Sequence, residues 1–289
     1  MASRASGPAQ ALAAAGVRPR KSRGQNFLVQ ERIADRIVES LQICAGDTVV
    51  EIGPGLGILS ERILRCPLAN LCLVESDARL AAALEQRFGR DPRVRVVNRD
   101  FLATDLRALA GRTTARVIGN LPFNVAGAML ERLCGFHDMI TRMVLMFQRE
   151  VADRIRARRG TREYGALSVY TALYWDVCDH FRVAAGSFHP RPKVDAEVLV
   201  FTPRSEPAFA RGEERTVLAT VRAAFSAPRK TIRNSLAGGL DLDPPEVESA
   251  LARARLDPSA RPATLAVSDL VRLSRTLVPR PHPEGVRDA

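Results

Sequence analysis

Before residue 205, the apolar residues of the chain fall into short runs separated by segments with helical spacing. Helical segments separate the first four of these runs and follow the fifth, as in the βαβ units of a parallel, doubly wound sheet. Two later runs are close enough to pair as an antiparallel hairpin at one edge. The seven predicted strands are residues 48–53, 71–75, 94–98, 115–119, 142–147, 177–185 and 195–202.

The alternation of strands and helices stops at residues 201–209, which contain two prolines and several polar residues. From Glu213 to about Val278 only helical periodicity remains, so we place a domain boundary near residue 205. The two ends of the chain lack a pattern that would pack a core. The predicted parts are a flexible arm (1–20), an α/β domain (21–205), a small all-helical domain (206–278) and a disordered tail (279–289).

Three glycines, Gly53, Gly55 and Gly57, follow the first predicted strand and precede a helix. Glycine at such a turn lets the backbone approach a ligand closely, which predicts a cofactor loop. A dinucleotide fingerprint counted from Gly53 needs its third glycine at position 58, where this chain has Ile58. The spacing therefore disfavours a pyrophosphate and suits S-adenosylmethionine, which carries no phosphate.

Two acidic residues follow the next predicted strands at the same sheet edge. Glu75 ends the second strand, where a carboxylate can accept both hydrogen bonds of a ribose diol. Asp100 follows the third strand and can accept a hydrogen bond from an adenine amino group. The alternatives are a solvated strand-end acid for Glu75 and a helix N-cap for Asp100. Together with the glycine loop, the two acids favour a cofactor site.

The fourth predicted strand runs into the sequence Asn-Leu-Pro-Phe at residues 120–123. Pro122 has no N–H for a ladder and holds Leu121 extended, so the chain leaves the sheet here. Asn120 and Phe123 then lie at the carboxyl edge of the sheet, where ligands bind in open α/β folds. The alternative is a strand-ending turn whose phenylalanine packs into the core. With the glycine loop beside it, we favour a role in chemistry.

The charge of the chain indicates an anionic partner. Lys and Arg number 43 against 32 Asp and Glu, which gives a net charge of +11 and a pI near 10.4. Each basic cluster has a solvated surface as its alternative. Phe188, His189 and Pro190 beside Arg191 form a possible second stacking surface, and their alternative is a rigid, proline-defined turn. The candidate nucleic-acid contacts are Arg20, Lys21, Arg154, Arg158, Arg159, Phe188, Arg191, Lys193, Arg229 and Lys230.

The five cysteines are odd in number and form no C-x-x-C pair, which indicates neither a zinc site nor a disulfide framework. We expect reduced thiols, no metal, no membrane span and a cytoplasmic location. The arginine-bearing arm without acidic residues has an organellar transit peptide as its alternative interpretation.

Together these stretches resemble the KsgA-type small-subunit ribosomal RNA adenine N6,N6-dimethyltransferases, with the Erm resistance methyltransferases as close relatives. The resemblance spans nearly the whole chain and implies a Rossmann-like, seven-stranded class I methyltransferase domain with a small helical C-terminal domain. The stretches that carry it are RKSRGQNFL (20–28), VEIGPGLG (50–57), VESD (74–77), RDFL (99–102), GNLPFNV (119–125), FQREVADR (147–154), EYGALSV (163–169), FHPRPKVDAEV (188–198) and RKTIRNSL (229–236).

The resemblance implies a role for individual residues. Asn120 and the Leu121 carbonyl would hold the target amino group, and Phe123 would stack on the flipped base, although many bacterial relatives have tyrosine there. Pro122 would keep the carbonyl facing the base. The S-adenosylmethionine contacts carried over are Asn26, Leu28, Gly53, Glu75, Asp100 and Asn120, to which the loop geometry adds Gly55.

The resemblance further implies dimethylation of two adjacent adenines in the hairpin loop near the 3′ end of small-subunit rRNA. The expected partner is the small ribosomal subunit precursor, and we expect a monomer. Alternatives are an Erm-type large-subunit rRNA methyltransferase, or a non-catalytic RNA- or DNA-binding protein of this fold such as an assembly factor or a mitochondrial transcription factor.

Overall fold

The computed structural model describes residues 25–277 except for 112, 123–124, 211 and 228. The predicted arm with Arg20, the following Lys21, Phe123 and the predicted tail lie outside the described residues. Within them the chain folds into two compact units. The first contains residues up to Asp153 together with Trp175–Arg204, and the second contains Arg154–Tyr174 together with the residues from Ser205 onward.

The first unit is built on a seven-stranded sheet, counted over the described part of the chain, in the order β4-β3-β2-β5-β6-β9-β7. The pairs among β2 to β6 are parallel, and β9 is antiparallel to β6 and β7. This is the predicted Rossmann-like fold. The strands are β1 (Phe27–Leu28), β2 (Thr48–Ile52), β3 (Asn70–Glu75), β4 (Val94–Asn98), β5 (Ala115–Asn120), β6 (Ile140–Gln148), β7 (Trp175–Val183), β8 (Phe188–His189) and β9 (Ala196–Pro203).

Helices cover both units and follow the apolar spacing in the sequence. The helices of the first unit are α1 (Glu31–Leu41), α2 (Ile58–Ile63), α3 (Ala78–Phe88), α4 (Leu106–Ala110), α5 (Ala126–Cys134) and α6 (Arg149–Ile155), whose last two residues belong to the second unit. The second unit contains α7 (Ala166–Tyr174), α8 (Glu214–Phe225), α9 (Ile232–Leu240), α10 (Pro244–Arg253) and α11 (Val267–Ser274). In the described ranges, every helix is too short or too polar to cross a bilayer.

The central strands are fully buried because helices cover both faces of a parallel sheet. All five residues of β2 are buried, as are five of the six in β3. On one face, the almost fully buried Arg62 of α2 holds α1 in place, with its Nε 2.6 Å from Asp35 Oδ1 and an Nη 3.3 Å from Glu31 Oε2. Because β2 pairs in parallel with both β3 and β5, the carboxyl ends of these three strands lie at the same edge of the sheet.

One difference from the sequence prediction concerns residues 154–174, which we placed in the α/β domain. They pack instead with the C-terminal helices, because α7 is apolar on nearly all sides and is buried among them. Tyr164 donates a hydrogen bond to the Leu265 carbonyl at 3.1 Å, and the Gly160 N–H donates to the Ala263 carbonyl at 2.8 Å. The second unit thus takes part of its core from the middle of the chain.

A two-stranded sheet between β1 and β8 was not predicted. Leu28 pairs with Phe188 and Phe27 with His189, and the Val29 N–H donates to the Ser187 carbonyl at 2.9 Å. Phe188 is only 4% exposed and packs into the main core. The Phe188 ring is therefore turned away from solvent, and only His189 of this pair is exposed for the predicted second stacking surface.

Candidate cofactor cleft and catalytic strand end

A cleft opens at the carboxyl ends of β2, β3 and β5. The structure brings together here every residue within its described ranges that the sequence predicted for cofactor binding or catalysis. Residues 25–28 form one wall, and the glycine loop forms another. The predicted residues that line it are Asn26, Leu28, Gly53, Gly55, Glu75, Asp100, Asn120, Leu121 and Pro122.

The glycine loop has left-handed backbone at Gly53, Gly55 and Gly57, with φ of 64°, 58° and 76°. A Cβ on Gly55 would lie 2.9 Å from the Phe27 ring, and one on Gly57 would lie 2.7 Å from the Phe88 ring. Neither position accepts a side chain without displacing an aromatic ring. The loop therefore packs closely against the rings of Phe27 and Phe88.

Arg87 of α3 supports the same loop from outside. Its Nη1 donates to the Leu56 carbonyl at 2.9 Å, and its Nη2 donates to Glu61 Oε2 of α2. Arg65 forms an ion pair of 2.8 Å with the other oxygen of Glu61, and within the described part of the chain its side chain makes no hydrogen bond to the loop. A guanidinium can bridge a carbonyl and a carboxylate in this way because it is a planar fork of donors.

Glu75 is a buried carboxylate that accepts hydrogen bonds from two backbone N–H groups, one in the glycine loop and one just after its own strand. Its Oε1 accepts from the Asp77 N–H at 2.9 Å, and its Oε2 accepts from the Gly55 N–H at 3.2 Å. Burial raises the pKa of Glu75, while these backbone hydrogen bonds act to lower it. Since a carboxylate offers about four acceptor sites, this geometry retains capacity for a ribose diol.

Asp100 combines the two interpretations that the sequence left open. Its Oδ1 accepts from the Leu102 N–H at 2.9 Å and caps the short 3₁₀ turn Phe101–Ala103. The residue is exposed and also lines the cleft. An N-cap role fixes the side chain at the rim, and a carboxylate fixed there suits an amino group of a nucleobase.

Asn120 ends β5, and its amide is oriented by the N-terminal segment. Its Nδ2 donates to the Asn26 carbonyl at 2.9 Å. A carbonyl can only accept, so the bond determines which end of the amide is nitrogen and directs Oδ1 away from Asn26. The Leu121 N–H donates to the Met146 carbonyl at 3.2 Å and extends the ladder by one residue before Pro122. The strand end thus presents a fixed acceptor beside the cofactor cleft.

Glu51 of β2 also lines the cleft and was missed by the sequence analysis. It is 1% exposed, and its Oε2 accepts from Ser60 Oγ at 2.6 Å. Burial, with a further contribution from the negative charge of Glu75, raises the pKa of Glu51 to about 8, although the Ser60 bond acts to lower it. An acid inside an otherwise apolar strand, T-V-V-E-I, was the signal that could have identified it.

The predicted nucleic-acid contacts are distributed over both units. Arg191 and Lys193 are exposed in the first unit, on the segment that follows β8. Five more exposed basic candidates lie in the second unit. These are Arg154, Arg158, Arg159, Arg229 and Lys230. No group of three or more His, Cys, Asp or Glu side chains within the described ranges could hold a metal ion.

The model of the family described as ribosomal RNA adenine dimethylase matches residues 16–276. The chain belongs to this family. It is 41% identical to ribosomal RNA small subunit methyltransferase A of Geobacter metallireducens over 268 residues, covering 91% of this chain and 97% of that protein. It is also 41% identical to the protein of the same name from Methylococcus capsulatus, covering 90% and 98%.

Solved structures of relatives share the fold of this dimethylase family member. A dimethyladenosine transferase from Plasmodium falciparum matches with a TM-score of 0.71 at 21% identity, covering 86% of this chain and 95% of that one. The 23S rRNA methyltransferase ErmE matches with a TM-score of 0.60 at 26% identity, covering 87% and 99%. The dimethylase family uses S-adenosylmethionine, and the glycine loop with Glu75 and Asp100 fits that cofactor.

Proposed function

We propose that this dimethylase family member converts two adjacent adenines in the 3′-terminal hairpin loop of small-subunit rRNA to N6,N6-dimethyladenosine. The observation that carries the proposal is the Asn120 amide, which the Asn26 carbonyl orients at the edge of the glycine-loop cleft. The small-subunit target is supported by relatives named ribosomal RNA small subunit methyltransferase A, which share up to 41% of this sequence.

The protein must promote attack by adenine N6, which is a poor nucleophile, on the methyl group of the cofactor. The lone pair of adenine N6 is delocalised into the ring, so the nitrogen is planar and weakly nucleophilic. Asn120 Oδ1 and the Leu121 carbonyl can each accept a hydrogen bond from one of the two N–H groups of N6 and so turn the nitrogen toward tetrahedral geometry. When bound, S-adenosylmethionine supplies an electrophilic methyl group on a sulfonium with a neutral leaving group.

A strong general base is unnecessary for this reaction. Attack by N6 leaves a positively charged nitrogen, which readily gives its extra proton to solvent. Asn120 cannot remove a proton at neutral pH, and its contribution is to hold the nitrogen and direct its lone pair. The second methylation is the more demanding step, because monomethyl N6 has one N–H left for the two acceptors.

The substrate must also bring an unstacked base to the sheet edge. Unpaired loop nucleotides reach such a pocket at the lowest cost, which supports a hairpin loop as the substrate. The net charge of +11 and the exposed arginines named above suit phosphate contacts. We propose in addition that the enzyme is a cytoplasmic monomer that acts on the small-subunit precursor. Of this, the names of its bacterial relatives support the small-subunit substrate.

The test compares Asn120→Ala with the control Asn70→Ala. Asn70 is also a strand asparagine with an amide hydrogen bond, but it begins β3 at the opposite end of the sheet. We expect Asn120→Ala to slow methyl transfer by roughly 10² to 10³, as when one positioned hydrogen-bonding group is removed from an active site, with little change in RNA affinity. Asn70→Ala should remain near wild type.

The measurement is mass spectrometry of digested RNA, counting unmodified, mono- and dimethyladenosine over time on unmethylated small-subunit particles and on large-subunit rRNA. Full dimethylation by Asn120→Ala would refute the proposed role of residues 120–122. Methylation confined to large-subunit RNA would establish the Erm-type alternative. Tight particle binding by the wild type without methylation would establish the non-catalytic assembly role.

A further inference from the structure

The register of the β1–β8 pair determines which side chains share a face. Phe27 lies opposite His189, and Leu28 lies opposite Phe188. Directly opposed residues of an antiparallel pair project to the same side of their sheet. The two faces of this small sheet therefore carry different pairs, Phe27 with His189 on one and Leu28 with Phe188 on the other.

The surroundings of these pairs identify the two faces. Leu28 and Phe188 are both 4% exposed and belong to the main core of the first unit. Phe27 and Leu28 both line the cleft, and the Phe27 ring occupies the space that a Cβ on Gly55 would need. His189 shares this second face and is exposed. Since opposed Cβ atoms lie about 4.5–5.5 Å apart, the side chain of His189 lies next to Phe27, which lines the cleft.

The segment after His189 is suited to a polyanionic strand. Arg191 and Lys193 are exposed, and Pro190 and Pro192 restrict the backbone between them. The nearby Asp195 is engaged by the Ala185 N–H, which donates to its Oδ1 at 2.9 Å. An imidazole followed by alternating prolines and cations combines a flat stacking surface with phosphate-binding groups.

We propose that His189 stacks on an unpaired RNA base next to the target adenine when that adenine enters the cleft, while Arg191 and Lys193 contact the adjacent phosphates. This inference rests on the proposed rRNA substrate. It replaces Phe188 by its neighbour as the stacking residue, because strand pairing buries one ring and exposes the other. Stacking tolerates many ring types, so the contact depends on the flat face of the imidazole more than on its nitrogens.

Three substitutions at one position separate stacking from hydrogen bonding. For methylation of a hairpin-loop RNA, His189→Ala should raise the KM for RNA about 5- to 100-fold, the range of losing one stacked base, with kcat changed less than twofold. His189→Phe should keep the KM near wild type. His189→Gln, which has polar atoms but no ring, should behave like the alanine variant.

A binding experiment tests the same contact without catalysis. We use RNA that carries 2-aminopurine beside the target adenine. Its 2-aminopurine fluorescence should be quenched in the wild-type and His189→Phe complexes and stronger in the His189→Ala complex. His137→Ala is the control, because His137 is a partly exposed histidine of the same unit at the amino end of β6. Its RNA affinity and emission should match wild type.

The assignment is overturned if His189→Ala leaves both KM and 2-aminopurine emission unchanged, or if His189→Gln retains the wild-type KM. These outcomes differ from failure of the proposed function, which would appear as absence of adenine methylation by the wild-type enzyme. The emission measurement still reports stacking in that case, since it needs RNA binding alone.

Discussion

Arg87→Ala removes a guanidinium that supports the glycine loop from outside the cofactor cleft. The substitution deletes the bond to the Leu56 carbonyl at 2.9 Å and the ion pair to Glu61. Leu56 lines the cleft, whereas Arg87 does not. We therefore expect weaker binding of S-adenosylmethionine without the loss of any direct cofactor contact, because the loop leaves its binding conformation more often.

The size of the effect follows from two partly exposed interactions. A hydrogen bond to a carbonyl contributes about 1 kcal/mol net. The ion pair, with side chains 47% and 41% exposed, adds only a few tenths of a kcal/mol, about the median for surface pairs. A loss of about 1 to 1.5 kcal/mol corresponds to roughly 5- to 12-fold weaker binding.

Arg65→Ala is the matched control for this substitution. Arg65 forms an ion pair with the same Glu61 carboxylate, and its side chain is 65% exposed. Removing it deletes a comparable surface charge while leaving the Leu56 bond in place, so cofactor affinity should change less than about twofold. Arg87→Lys keeps a charge near Glu61 but loses the fork geometry, and it should fall between wild type and Arg87→Ala.

Calorimetric titration with S-adenosylmethionine measures all three variants, and thermal melting establishes that each is folded. Equal affinity losses in Arg87→Ala and Arg65→Ala would show that the charge on Glu61 matters and the loop contact does not. An unchanged affinity in Arg87→Ala would show that the loop needs no support from α3.

Two further predictions concern pH and salt. Because the pKa of Glu51 is about 8 when folded and about 4.5 in its ordinary state, the folded protein binds more protons between these values. The Glu51 contribution to stability should therefore fall by at most ~5 kcal/mol as pH rises from about 4.5 to 8, and stay level above pH 8. Because the pKa of Glu75 is also raised, Glu51→Gln should make the decline in melting curves at pH 5 to 9 shallower without abolishing it. Parallel decline in both proteins would contradict the assignment. Neutralising Arg154, Arg158 and Arg159 together should reduce the slope of log RNA affinity against log salt by up to about 2 to 3, and an unchanged slope would make them a solvated surface.

The sheet and most of the cleft could be predicted from the sequence because they depend on local periodicity and one general rule. Parallel strands end at the same edge, so Glu75, Asp100 and Asn120 had to lie near one another once their strands were recognised. The position of the cofactor cleft could therefore be predicted from where the parallel strands end.

The parts that could not be predicted depend on pairing between distant residues. The β1–β8 sheet joins two-residue strands about 160 positions apart, which have no period to detect. Without that pairing, Phe188 and His189 could not be assigned to opposite faces, so the sequence could not show which of the two rings is exposed. The buried role of Glu51 was hidden for another reason, since a single acid in a strand gives no information about its partner Ser60.

The hydrogen bond from Asn120 to the Asn26 carbonyl limits which residue types can occupy the end of β5. For the proposed reaction, that position must donate to a backbone carbonyl on one side and accept a hydrogen bond from the adenine amino group on the other, within a single short planar group. Aspartate has the same shape, but it would place a carboxylate oxygen against the Asn26 carbonyl and turn away. Serine is too short to span both partners. Because an amide is neutral at every physiological pH, the acceptor at Asn120 does not change with protonation. The buried acids Glu51 and Glu75, which line the same cleft, do not share this property.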